Sequence, residues 1–104
     1  MTREYDKLVR DDIPELIERD GETPVVHIAS EDEYERRLLE KLDEEVAEFR
    51  ESRAIAELAD VLEVIHAIRE LEGVSRERLA ELRSEKADER GRFEDRIVLE
   101  RVDP

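Results

Sequence analysis

Two short acidic pairs carry most of the chemistry this sequence offers: Glu45 with Glu48, and Glu57 with Asp60. Carboxylates three residues apart on a helix project from neighbouring positions on one face. Asp and Glu together make up 32 of the 104 residues, so that spacing recurs by chance, and the surroundings of the pairs are more informative than the spacing. Residues 54–68 are Ala, Ile, Leu, Val and one His, with Glu57, Asp60 and Glu63 as the only charges and no basic residue. On a helical wheel at about 100° per residue, Glu57 falls between Val64 and Ile68, inside the apolar arc, and Asp60 lies one step further round. A carboxylate at the edge of a core, without a cation or donors, is costly enough that it binds something or takes up a proton. On the preceding run, Glu45 borders the stripe Leu38, Leu42, Val46 and Phe49, with Glu48 on the same flank and Glu44 further out. Four hard oxygen donors without His or Cys suit magnesium, or manganese, rather than zinc or copper. The plain alternative for Glu45 and Glu48 is a solvated helical face. For Glu57 and Asp60 the apolar surroundings weigh against it.

These acids can meet only if the elements carrying them fold back on each other. Ile13, Leu16 and Ile17, with Pro14 in the first turn, predict a short helix over 12–19 that ends at Asp20-Gly21. Val25 to Ile28 is a brief β-type run. Ser30 and Glu33 form a capping-box pattern ahead of a helix over 31–50. A second long helix over 54–72 is closed by Gly73, and Ser75 caps a third that carries Leu79, Leu82 and Ala87 and stops at Gly91. Ile97, Val98 and Leu99 predict a strand near 96–100 that pairs with 25–28. Between the first two long helices the only break signal is Arg50-Glu51-Ser52-Arg53, which has neither Gly nor Pro. A continuous helix there would separate Glu45 and Glu57 by about 18 Å along its axis. A shared site therefore requires an antiparallel hairpin. The expectation is an all-α fold, a helical hairpin plus further helices with minor strands, in one domain over 1–104. The apolar arc of 54–72 exceeds what one hairpin can cover, so a homodimer or higher homo-oligomer is expected to complete the bundle.

Composition narrows the classes of partner. Net charge is −14, with 48% of residues charged and lysine only at Lys7, Lys41 and Lys86, which argues against direct binding to a nucleic acid backbone. The carboxylate-rich, lysine-poor surface suggests a salt-adapted source and stability that rises with ionic strength. Without cysteine there is no disulfide framework or thiolate zinc site. The N-terminus lacks an apolar segment of the secretory kind, and no stretch is long and apolar enough to span a bilayer, so a cytoplasmic protein that does not engage membranes is expected.

Glu45-Val46-Ala47-Glu48 followed by Glu57-Leu58-Ala59-Asp60 resembles the ExxE and ExxD signature of the MazG-like and phosphoribosyl-ATP pyrophosphohydrolase-like superfamily. The opening KLVRDDIPE, the central LLEKLDEEVAEF and ELADVLEVIHA, and the closing RSEKADERGRF with RIVL resemble a small single-domain subgroup of it, in order and over most of the chain. Two positions depart: Ala56 stands where the family often has a further glutamate, and Gly91-Arg92 where it often has two glycines. The resemblance implies magnesium-dependent hydrolysis of a nucleoside triphosphate, or a related nucleotide, between the α and β phosphates, in the manner of a nucleotide-pool house-cleaning enzyme. It also implies Glu45, Glu48, Glu57 and Asp60 as the catalytic metal ligands, with Glu44 or Glu63 in an outer shell.

Such chemistry needs cations for the phosphate oxygens as charge shifts in the transition state. Lys86 shares a helical face with Arg90 and Arg83 and lies in the family-like RSEKADERGRF segment; Lys7 and Arg10 form a second candidate set, with Asp11 as a helix-start or ligand-orienting residue. The plain alternative for each is a surface ion pair. Phe93 and Tyr5 are candidates for base contact or core, His66 for helix packing, and His27 for the short strand. A rival reading is a non-enzymatic helical dimerising module whose acids only solubilise it. Phosphoribosyl-ATP is the alternative substrate.

Overall fold

In a computed structural model that describes residues 2–104, the chain is all-helical. The elements are α1 (Ile13–Arg19), α2 (Glu31–Ser52), α3 (Ile55–Leu71) and α4 (Arg76–Arg90). Local signals explain where each begins and ends. The Ser30 hydroxyl accepts the Glu33 N–H at 3.2 Å and the Ser75 hydroxyl accepts the Arg78 N–H at 3.0 Å, each satisfying one free donor of a first turn. Only half of the predicted capping box forms, because the Glu33 carboxylate turns instead to His27 and Arg37. Gly73 and Gly91, with φ of 72° and 81°, follow α3 and α4 in a backbone region that L side chains rarely adopt. At the C-terminal end of α3 the half-buried Arg69 donates to the Val74 carbonyl at 2.7 Å and to His66 Nδ1 at 3.1 Å. His66 is half-buried there.

The break between α2 and α3 occurs where the acidic pairs require it. Arg53 takes the left-handed conformation, φ 60° and ψ 13°, and its N–H donates to the Phe49 carbonyl at 2.7 Å. Its guanidinium lies 5.6 Å from the centre of the Phe49 ring. The Ser52 hydroxyl accepts the Ala54 N–H, and the Ala54 carbonyl then accepts the Glu57 N–H as the first bond of α3. A non-glycine residue in this conformation costs on the order of 1–2 kcal/mol. The stacked Phe49 ring and the two bonds around the turn offset part of that cost.

The α2–α3 hairpin is the main helix–helix contact; α4 touches α3 alone and briefly, and α1 packs on no other helix. Leu38 of α2 and Val64 of α3 are the buried apolar residues at its centre. The molecule is extended, 63 × 31 × 25 Å, with a radius of gyration of 18.5 Å against about 13 Å for a compact chain of this length. Leu39, Val46, Leu58 and Leu62 remain exposed along the hairpin. No strand forms among the described residues: 25–28 and 96–100 are unpaired, Arg96 sits at φ 58°, outside the β region, and Val25, Ile28, Ile97, Val98 and Leu99 are open to solvent. A lone two-stranded ribbon with no third strand or helix beneath it is marginal in water, which accounts for the difference. No helix is long and apolar enough to cross a membrane.

Candidate metal centre

The hairpin brings the two acidic pairs together. Glu48 and Glu57 flank Arg53 at nearly equal separations along the chain, as do Glu45 and Asp60, so an antiparallel return sets them opposite each other. Carboxylate oxygens of Glu45, Glu57 and Asp60 lie within 4.8 Å of one another, and those of Glu44, Glu45 and Glu48 form a second such group. Glu45 belongs to both. On α2 the sequence of this face is Leu38, Lys41, Glu45, Glu48, and on α3 it is Val64, Asp60, Glu57, so the hairpin interface is apolar at its centre and anionic toward its closed end.

Glu45 is the buried member, 7% exposed. Its Oε1 lies 3.3 Å from Lys41 Nζ, while its Oε2 is buried without a hydrogen-bond partner. A buried carboxylate oxygen left unpartnered is expensive and calls for a cation or a donor. The neighbouring carboxyls show the same crowding. Glu48 is pushed above the ordinary carboxylate value, chiefly by the adjoining Glu45 carboxylate. Glu57, half-buried at the start of α3, is also pushed up, first by burial and then by Asp60 and Glu45. Glu44 behaves oppositely: burial works against its ionisation, but hydrogen bonds from Lys7 and Lys41 outweigh this and hold it below the usual range.

One expectation about this site needs correction. The apolar stretch around Glu57 and Asp60 has no basic residue of its own, yet a cation does reach it from elsewhere in the chain. Arg10 Nη2 lies 2.7 Å from Asp60 Oδ1, and Lys7 Nζ lies 2.8 Å from Glu44 Oε1. Both come from the segment before α1. It is tied to α2 through Arg37, which donates to the Asp6 carbonyl and carboxylate at 2.8 Å each. Lys7 and Arg10, expected at substrate phosphate, therefore sit on the carboxylates. Lys41 was not singled out from the sequence, although its spacing of three to Glu44 and four to Glu45 is the signal that finds it.

The other candidates lie apart. Glu63 is exposed and belongs to neither carboxylate group. Lys86, Arg83 and Arg90 are exposed on α4, which makes no contact with α2, and none of them enters an ion pair among the described residues. Asp11 is exposed, and Asp12 rather than Asp11 stands at the start of α1, without a side-chain capping bond. Phe93 and Tyr5 are 98% and 63% exposed, so neither is a core residue. His27 binds the Glu33 carboxylate through Nε2 at 2.9 Å.

The donor set fits a hard divalent cation on the chemistry of its oxygens and on the orphaned Glu45 Oε2. Comparison with known proteins adds little about activity. No protein-family profile and no solved structure matches the chain. An uncharacterised protein of Mycolicibacterium smegmatis is 61% identical over 44 residues, covering 42% of this chain and 45% of that protein, so the shared stretch spans under half of either.

Proposed function

We propose that the chain is a magnesium-dependent nucleotide pyrophosphohydrolase that cleaves between the α and β phosphates of a nucleoside triphosphate or a related nucleotide. The observation that carries this reading is Glu45: a buried carboxylate with one unpartnered oxygen, facing Glu57 and Asp60 across the hairpin and adjoining Glu48 on its own helix. A solubilising acid has no reason to be buried, still less among other acids. Glu45, Glu48, Glu57 and Asp60 would hold the metal, manganese being an acceptable substitute, and Glu44 would sit beside them. When bound, the metal supplies neutralisation of the polyphosphate and activation of water. The chain's own part is to fix the carboxylates on two rigid helices, and to offer Lys7 and Arg10 at the rim for phosphate oxygens.

The exposed Leu39, Val46, Leu58 and Leu62 and the extended shape support a second inference, that the working form is a homodimer or larger in which another copy covers the hairpin. Such an assembly offers a way for Lys86, Arg83 and Arg90 to approach a neighbouring site. The same exposure also favours the rival reading, a non-enzymatic association module. One experiment separates them: nucleotides, phosphoribosyl-ATP among them, are incubated with the protein and magnesium, and pyrophosphate and monophosphate are followed. Release that requires the metal and disappears in Glu45→Gln is expected. Self-association by light scattering with no metal-dependent release from any nucleotide would leave the association module standing.

A further inference from the structure

The segment before α1 puts two cations on the carboxylates from outside the hairpin. Arg10 reaches Asp60 at 2.7 Å and Lys7 reaches Glu44 at 2.8 Å, across 50 and 37 residues of sequence. Their backbones are held. Arg37, with only 14% of its side chain exposed, grips Asp6 on one side, and on the other the Arg10 carbonyl accepts the Ile13 N–H that leads into α1. Their charged ends are not held in the same way: the Lys7 and Arg10 side chains are 40% and 57% exposed, against 15% for Lys41, which bridges Glu44 and Glu45.

We propose that Lys7 and Arg10 are exchangeable counter-ions of the carboxylate cluster, displaced by the divalent cation and thereby freed for an anionic ligand such as a phosphate group. The proposal rests on the metal-binding reading above and adds a competition to it. In a chain of net charge −14, an empty cluster of five carboxylates would drive the closed end of the hairpin apart unless cations sat among them. A divalent ion does this better and repels the ammonium and guanidinium it meets. Because the backbone is fixed at Asp6 and Arg10, exchange needs only rotation of two long, half-exposed side chains. Each pair is of the exposed type, worth little, so the competition is mild and shifts metal affinity by a small factor.

The test uses magnesium chloride alone as the ligand. The chain has three lysines, and Lys86 is exposed and outside every ion pair among the described residues, so it is an internal reference for amine acylation followed by mass spectrometry. In metal-free protein Lys7 should be labelled more slowly than Lys86, and magnesium should raise the Lys7 rate severalfold relative to it. By calorimetry, Lys7→Gln and Arg10→Gln should each bind magnesium about two- to fivefold more tightly than the unaltered chain. Arg19→Gln, which removes a cation paired with Glu15 on α1, should leave the affinity unchanged. If magnesium binds but Lys7 labelling does not rise and the two variants bind equally or more weakly, Lys7 and Arg10 are fixed members of the site and this proposal fails alone. If neither the unaltered chain nor the variants bind magnesium, it fails together with the metal-binding reading.

Discussion

Glu45→Gln should make the metal-free protein more stable and the metal-loaded protein relatively less so, and the two effects can be sized from the geometry. Glu45 Oε2 is buried without a hydrogen-bond partner, a condition that costs about 1–3 kcal/mol. An amide nitrogen in that place becomes a donor to the carboxylates of Glu48, Glu57 or Asp60, and one negative charge leaves the cluster. Against this stands the loss of the Lys41 to Glu45 contact at 3.3 Å, but Lys41 keeps Glu44 at 3.0 Å. The net expectation is a gain of about 1–2 kcal/mol, or roughly 5 °C or more in melting temperature for a domain of this size. In magnesium at a hundredfold over its dissociation constant, the unaltered chain gains about 2.7 kcal/mol and the variant little. The two melting curves therefore change order between chelator and magnesium, as thermal melts of both proteins in both conditions would show. The reasoning is refuted if the variant melts lower in chelator by the roughly 3–5 kcal/mol typical of a broken buried pair, since Glu45 would then be the structural partner of Lys41. It is refuted equally if magnesium stabilises both proteins alike.

Glu57→Gln should abolish magnesium-dependent hydrolysis while leaving the fold intact or firmer in chelator; wild-type turnover in this variant would remove Glu57 from the ligand set. Because the Glu48 and Glu57 carboxyls lie above their ordinary value of 4.5, the folded chain takes up protons before the unfolded one, so metal-free stability should rise as pH falls from neutral toward about 4.5. Below that, Glu44 and Glu33, held down by their cations, lose their contribution and stability should fall, whereas magnesium should reverse the upper limb because protons then compete with the metal; melts across pH in chelator and in magnesium check both. Arg53→Val should lower stability by about 2 kcal/mol, since a β-branched residue fits the left-handed turn poorly and the Phe49 contact is lost, and urea denaturation would measure it. Melting temperature should rise with sodium chloride well beyond the physiological range, reflecting the net charge of −14.

Apart from the α2–α3 turn, helix boundaries were legible because they had local causes in the sequence. Ser30 and Ser75 cap, Gly73 and Gly91 follow the ends, and periodic apolar residues run between, so the predicted 54–72 differs from the observed Ile55–Leu71 by a single residue at each end. The break at Arg53 had no such signature. It followed only from the requirement that Glu45 and Glu57 share a ligand, and the structure supplies the missing local reason in the Phe49 ring and the Ser52 hydroxyl. The convergence of the four acids followed from the same step. What the sequence hid were the tertiary cations: nothing in the composition of residues 54–68 points to Arg10, because its meeting with Asp60 depends on how the N-terminal segment lies across the hairpin. The strands near 25–28 and 96–100 were misjudged for a related reason. β-propensity records what an extended chain can do when something covers it, and nothing in this chain does.

The division of the hairpin into an apolar centre and an anionic closed end has a consequence for how the molecule holds together. Leu38 and Val64 bury surface and favour closure, while Glu45, Glu48, Glu57 and Asp60 oppose it at the end where the helices are joined. Repulsion there can be tolerated because the covalent turn prevents the two helices from separating, whereas the same acids at the open end would splay them. Arg53, fixed in a left-handed conformation next to the cluster, sets which residues face each other, so that Glu45 meets Asp60 rather than the exposed Glu63. A site of like charges is thus placed where chain connectivity does the work that packing cannot. The side-chain cations Lys7, Lys41 and Arg10 reduce the repulsion that remains.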